Sequence, residues 1–62
     1  MKVSELLKQV RATGKCHLLV HGSEHDIWYS EITHKKFQIP RHQAKEIPPG
    51  TLHRIKKDAG LE

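Results

Sequence analysis

Apolar residues recur along this chain with a period that changes twice, and those changes dictate the order of its elements. They fall first at Val3, Leu6, Leu7 and Val10, the i, i+3, i+4, i+7 stripe of an amphipathic helix, with Lys2, Glu5, Lys8 and Arg11 turned away. Ser4 is placed to cap the first turn, Glu5 lies against the positive end of the helix dipole, and Gly14 supplies a left-handed stop. A helix is therefore expected from about Ser4 to Thr13. After Gly14 the period becomes two, with Cys16, Leu18 and Val20 on one side and His17, Leu19 and His21 on the other, which reads as a strand. Gly22-Ser23 suits the two-residue loop of a type II′ hairpin, whose first central position has a positive φ. A second strand, about Glu24 to Glu31, carries the β-favouring Ile27, Trp28 and Tyr29. Trp28 and Tyr29 are adjacent, so they point to opposite faces and one of them belongs to the core. Thr33, His34 and Lys35 make the next turn. Lys36 to Pro40 form a third strand with Phe37 and Ile39 inward, ended by a proline that cannot donate to a ladder.

The period of three to four returns after a polar connection from Arg41 to Ile47. Pro48-Pro49-Gly50 opens a second helix, because proline in a first turn removes an N–H that has no helical partner anyway. Leu52, Ile55 and Ala59 mark its buried side, and Gly60-Leu61 reads as a glycine cap with its hydrophobic contact. The order is α-β-β-β-α and the fold class α+β. A three-stranded antiparallel meander with both helices on one face buries every apolar stripe and leaves the other face of the sheet wet. Residues 1–62 form a single domain with no linker, repeat or low-complexity segment. A chain this short buries only about 60% of its unfolded surface, so the core must be thin.

Hydrophobic residues make up 35% of the chain and charged residues 29%, enough apolar material to fold and too little net repulsion to prevent it. Eleven Lys and Arg against seven Asp and Glu give a net charge of +4, a balance that suits a phosphate-rich partner and equally serves solubility. Cys16 is the only cysteine, so no internal disulfide forms. It is expected to pack as a small apolar residue in a reducing compartment. No stretch approaches the roughly 18 apolar residues of a membrane span, and the N-terminus lacks a secretory core, so a cytoplasmic location with no membrane association is expected.

Six histidines are present, and histidine is the side chain that titrates near neutrality unaided. His25 stands out by position: it follows a tight turn, where a strand end is rigid yet accessible, and it precedes the aromatic pair Trp28 and Tyr29, which could stack on bases. An exposed strand histidine is also commonly just solvated. His17, His21 and His25 repeat every four residues, a metal-like spacing on a helix. Here the segment reads as a hairpin, and no carboxylate or thiolate completes a zinc set, so neither metal nor cofactor is expected. Lys35, Lys36, Arg41, Lys45, Arg54 and Lys57, with Lys56 beside them, crowd the second half of the chain. They form either a solvated face or a track for phosphates.

In this order the residues resemble the HicA family of bacterial toxins. The resemblance is carried by the opening VSELLKQV, by HGSEHDIWYS, by FQIPRH and, most specifically, by the closing EIPPGTLHRIKKDAGL, and it covers nearly the whole chain. It implies a double-stranded-RNA-binding-domain-like fold and an mRNA interferase whose catalytic histidine follows the glycine turn, the position of His25. Many members place that histidine directly after Gly-Ser, whereas Glu24 intervenes here. One residue along a strand reverses the face a side chain takes. The resemblance further implies metal-independent cleavage of mRNA, a HicB-like antitoxin as partner, and a protein monomeric when free. A non-catalytic module gripping A-form RNA with the same basic surface is the alternative.

Overall fold

The computed structural model describes residues 1–61. Helix α1 spans Val3–Ala12, strands β1, β2 and β3 span Cys16–His21, His25–Ser30 and Lys35–Pro40, and helix α2 spans Pro49–Ala59. The strands form one antiparallel sheet in the order β1-β2-β3, as a meander requires. Trp28, Phe37 and Ile39 point from the sheet into a core shared with Val3, Leu6 and Val10 of α1 and Ile55 and Ala59 of α2, so both helices cover the same face. Each large side chain so buried stabilises the fold by about 1.5–3 kcal/mol. No helix among the described residues is long and apolar enough to cross a membrane.

Helix α1 opens earlier than a Ser4 cap would set it. The Val3 N–H donates to the Lys45 carbonyl and the Ser4 N–H to the Gln43 carbonyl, both at 3.0 Å. Two of the four amides that a helix start leaves unpaired are thus met by the loop before α2, and no hydroxyl cap is needed. Lys2 becomes the N-cap residue, and its N–H donates to Glu5 Oε1 at 3.4 Å. The same loop supplies Ile47 to the core at 3% exposure, with its N–H on the Met1 carbonyl at 2.9 Å. The segment read as a polar connection therefore contains a core residue.

The alternation read along β1 is interrupted. Cys16 and Leu18 pair with Ser30 and Trp28, but Val20 pairs with Ile27 and His21 with Asp26, because an extra residue bulges between Leu18 and Val20. A bulge reverses the faces of everything beyond it. Val20 thus lies on the open face, not with Cys16 and Leu18, and His21 joins Asp26 on the helix side.

Helix α2 ends as its Gly60-Leu61 pair indicates. Gly60 takes φ +85°, its N–H reaches the Lys57 carbonyl at 3.3 Å, and the Leu61 N–H reaches the Lys56 carbonyl at 2.8 Å, the paired bonds of a Schellman cap. A Cβ at Gly60 would also lie 2.6 Å from Ile32 Cγ2. The last carbonyls of the helix are taken up by the sheet and its β2–β3 turn: Ser30 Oγ donates to the Ala59 carbonyl at 2.8 Å, Cys16 Sγ to the same oxygen at 3.7 Å, and Thr33 Oγ1 to that of Asp58.

Candidate active site

β3 is a free edge of the sheet, and α2 lies along it. Between them runs a cleft of about 350 Å³. Lys36 and Gln38 reach it because they alternate with the core residues Phe37 and Ile39. Thr51, Arg54, Ile55 and Asp58 reach it from α2 at the i, i+3, i+4, i+7 positions of one helix face. His25 and Pro40, directly opposite each other in the β2–β3 ladder, close one end. A second hollow of about 490 Å³, lined by Lys35, His53 and Lys57, continues from the first, with Arg54 and Asp58 lining both.

His25 is exposed, and it shares the open face of the sheet with Ile27 and Tyr29 while Asp26, Trp28 and Ser30 face the helices. Its imidazole makes no hydrogen bond or ion pair with the described residues. The turn that delivers it differs from the two-residue type II′ hairpin expected. β1 ends at His21 and β2 begins at His25, so three residues, Gly22, Ser23 and Glu24, form the loop, and Gly22 lies outside the left-handed region that type II′ needs. Glycine is required there for another reason: a Cβ on Gly22 would stand 2.2 Å from the His25 carbonyl oxygen. The loop takes up Glu24 as one extra residue, and the bulge in β1 absorbs another.

Arg41 holds this loop. Its Nη1 donates to the carbonyls of Gly22 at 2.7 Å and Ser23 at 3.4 Å, and its backbone N–H to the carbonyl of Glu24 at 3.2 Å. Arg41 Nη2 donates to His21 Nε2 at 2.7 Å, and Nε stands 3.7 Å from Asp26 Oδ1. The other nitrogen of His21, Nδ1, lies 3.0 Å from the same oxygen. That is ion-pair distance, although the alignment falls short of a hydrogen bond and leaves Asp26 Oδ1 buried without one.

Of the cations singled out in the sequence, Lys35, Lys36, Arg54 and Lys57 line the joined clefts, whereas Arg41 and Lys45 line neither. Lys45 lies in the loop under α1, where its carbonyl receives the Val3 N–H. Sequence reading passed over Gln38, Thr51 and Asp58. Their signal was parity with Lys36 and helical spacing with Arg54. Of the aromatic pair, Trp28 is the core residue at 6% exposure, with its Nε1 unpartnered among the described residues, and Tyr29 faces outward, its hydroxyl 3.3 Å from His34 Nδ1.

The three histidines at four-residue spacing are separated by the hairpin: His17 meets Glu31 Oε2 at 2.5 Å, His21 meets Arg41 and Asp26, and His25 lies across from Pro40. Among the described residues no group of three or more His, Cys, Asp or Glu could hold a metal ion. The hydrogen bond from His17, with the charges of His17, Lys15 and His34 behind it, holds the Glu31 carboxyl below its usual range.

Compared with known families, residues 3–61 match the model described as the HicA toxin of bacterial toxin-antitoxin systems. No individual curated protein and no solved structure matches the chain. The match runs from the first residue of α1 through the Schellman cap of α2, taking in the whole sheet and both clefts. The chain belongs to the HicA family of bacterial toxins.

Proposed function

We propose that this toxin is a metal-independent endoribonuclease that cleaves mRNA, with His25 moving the proton. One observation carries the reading: an accessible imidazole with no hydrogen-bond or ion-pair partner among the described residues opens into the same cleft as two cations, Lys36 and Arg54. Transesterification needs little else. The ribose 2′-hydroxyl attacks the adjacent phosphorus, the 5′-oxygen of the next nucleotide leaves, and a base and an acid move the protons. Charge developing on the non-bridging oxygens is stabilised by cations already in position. Lys36 and Arg54 are assigned to that phosphate, and Lys35 and Lys57 to the neighbouring ones along the second hollow. A HicB-like antitoxin would neutralise the toxin by covering this groove in competition with RNA.

The test is RNA cleavage by wild type and by His25→Ala, with the ends of the 5′ fragment read by mass spectrometry. The expected result is a 2′,3′-cyclic phosphate or its hydrolysis product, unaffected by EDTA. His25→Ala should lose about 10²- to 10⁴-fold in rate, the usual contribution of a positioned general acid or base, with RNA binding intact. Full cleavage by His25→Ala would overturn the assignment, and inhibition by EDTA would point to a metal. Protection of RNA without cleavage by wild type would identify a binding module instead.

A further inference from the structure

We propose that Arg41 is a positioning residue for His25, acting with His21 and Asp26 through the loop that precedes it, and that it is not a phosphate contact. The proposal rests on the catalytic reading of His25. The residue comes from the stretch of basic side chains that sequence alone groups with the RNA track, yet its guanidinium is committed elsewhere. Among the described residues every polar contact it makes falls between His21 and Asp26: the carbonyls of Gly22 and Ser23, the ring of His21 and the carboxylate of Asp26. Its own amide takes the carbonyl of Glu24. Consecutive carbonyls from Gly22 to Glu24 are thus tied to one residue at the end of β3.

Chemistry sets the direction of each bond. Arginine only donates, so His21 Nε2 must accept, and the ring hydrogen then lies on Nδ1, which stands 3.0 Å from Asp26 Oδ1 at ion-pair distance without the alignment of a hydrogen bond. The result is a chain from arginine to imidazole to carboxylate on the helix side of the sheet. His25 projects from the opposite side, so none of the three touches it. They act on its backbone. The His25 carbonyl lies so close to Gly22 that a single methyl there would collide with it. A loop that shifts at Gly22 therefore moves His25. A planar five-donor fork is needed to reach two carbonyls and a ring nitrogen at once, and a single ammonium does not replace it.

The experiment compares Arg41→Ala and Arg41→Lys with wild type in the full chain. Both should lower kcat for RNA cleavage by about 10²-fold, the scale of loss expected when a reacting group is displaced by roughly 1 Å. KM should stay unchanged, and the lysine should not rescue. RNA affinity measured against salt in a His25→Ala background should keep its slope. Two readouts need no activity: the ring resonances of His25 should move in both variants, and amide exchange at Ser23 and Glu24 should quicken. A raised KM, with a salt slope smaller by about one and kcat preserved, would make Arg41 a phosphate contact and overturn the proposal. Unchanged ring resonances and exchange would also overturn it. If Arg41→Ala fails to fold, Arg41→Lys, which keeps the stem and the charge, carries the same readouts. Should wild type not cleave RNA, the catalytic reading fails, while the resonances and exchange still judge whether Arg41 sets the position of His25.

Discussion

The two ends of β2 are held by different physics. Ser30, at one end, is fully buried; its hydroxyl donates to the Ala59 carbonyl and receives the Ile32 N–H at 3.2 Å, while Thr33 and Cys16 complete the docking of α2. His25, at the other end, is exposed, and the loop before it is held by hydrogen bonds from a partly exposed arginine. Buried, satisfied groups give high local stability, and segments held by exposed polar contacts open at lower cost. The packed end builds the platform, and the lightly held end presents the imidazole proposed to move the proton.

That contrast is open to direct attack. The largest expected effect is the cleavage lost in His25→Ala, about 10²- to 10⁴-fold, against a stability change within about 0.5 kcal/mol because the side chain packs on little. Ser30→Ala should do the reverse. It takes a buried partner from the Ala59 carbonyl and a partly buried one from the Ile32 N–H, costing about 1–3 kcal/mol in urea unfolding, with cleavage per folded molecule unchanged. A fall in kcat for Ser30→Ala below its unfolding transition would show that the ends are coupled, and the contrast would break.

Two glycines sharpen it further. Gly60→Ala forces a side chain into a left-handed conformation and against Ile32, so a loss of about 1–3 kcal/mol is expected, eased by pairing it with Ile32→Ala. Gly22→Ala meets backbone instead, the His25 carbonyl. It should reduce kcat more than it reduces Tm, because relief requires moving the segment that carries the imidazole. Equal effects of the two substitutions on Tm, with none on kcat, would show that the Gly22 loop has no part in placing His25.

Much of this was legible in the sequence, for reasons that also show where reading stopped. The helical stripe of Val3, Leu6 and Val10, the alternation of Phe37 and Ile39, and the Gly60-Leu61 cap are local signals, and each formed as its spacing indicates. The Ser4 cap failed because backbone carbonyls from Gln43 and Lys45, some forty residues away, reached the amides first. Val20 and His21 exchanged faces because a bulge adds a residue that no composition announces. The cleft was half legible. His25 was chosen by its position after the glycine turn, and Lys36 and Arg54 by residue type, whereas Gln38, Thr51 and Asp58 became visible only when β3 and α2 were set side by side. Arg41 shows the same limit: its charge is written in the sequence, and its partner His21, twenty residues earlier, is not.

The smallest effect lies on the packed end but at its surface, where His17 of β1 pairs with Glu31 just beyond Ser30, both about half exposed. The hydrogen bond from His17 lowers the Glu31 pKa from its reference of 4.5. A carboxyl depressed in the folded state adds stability at pH values above its unfolded pKa and loses it as pH falls through the folded one. The stability of wild type and of Glu31→Gln should therefore differ above pH 4.5 and converge in more acid solution. Half exposure and solvent screening keep the gap small, and added salt should narrow it. Thermal unfolding between pH 3 and 6 at low and high salt reads it out. A gap that widens toward low pH, or that ignores salt, would mean that the pair supports the packed end through something other than its charge. In that case the division between a buried, stable end and a surface that contributes little would need redrawing at Glu31.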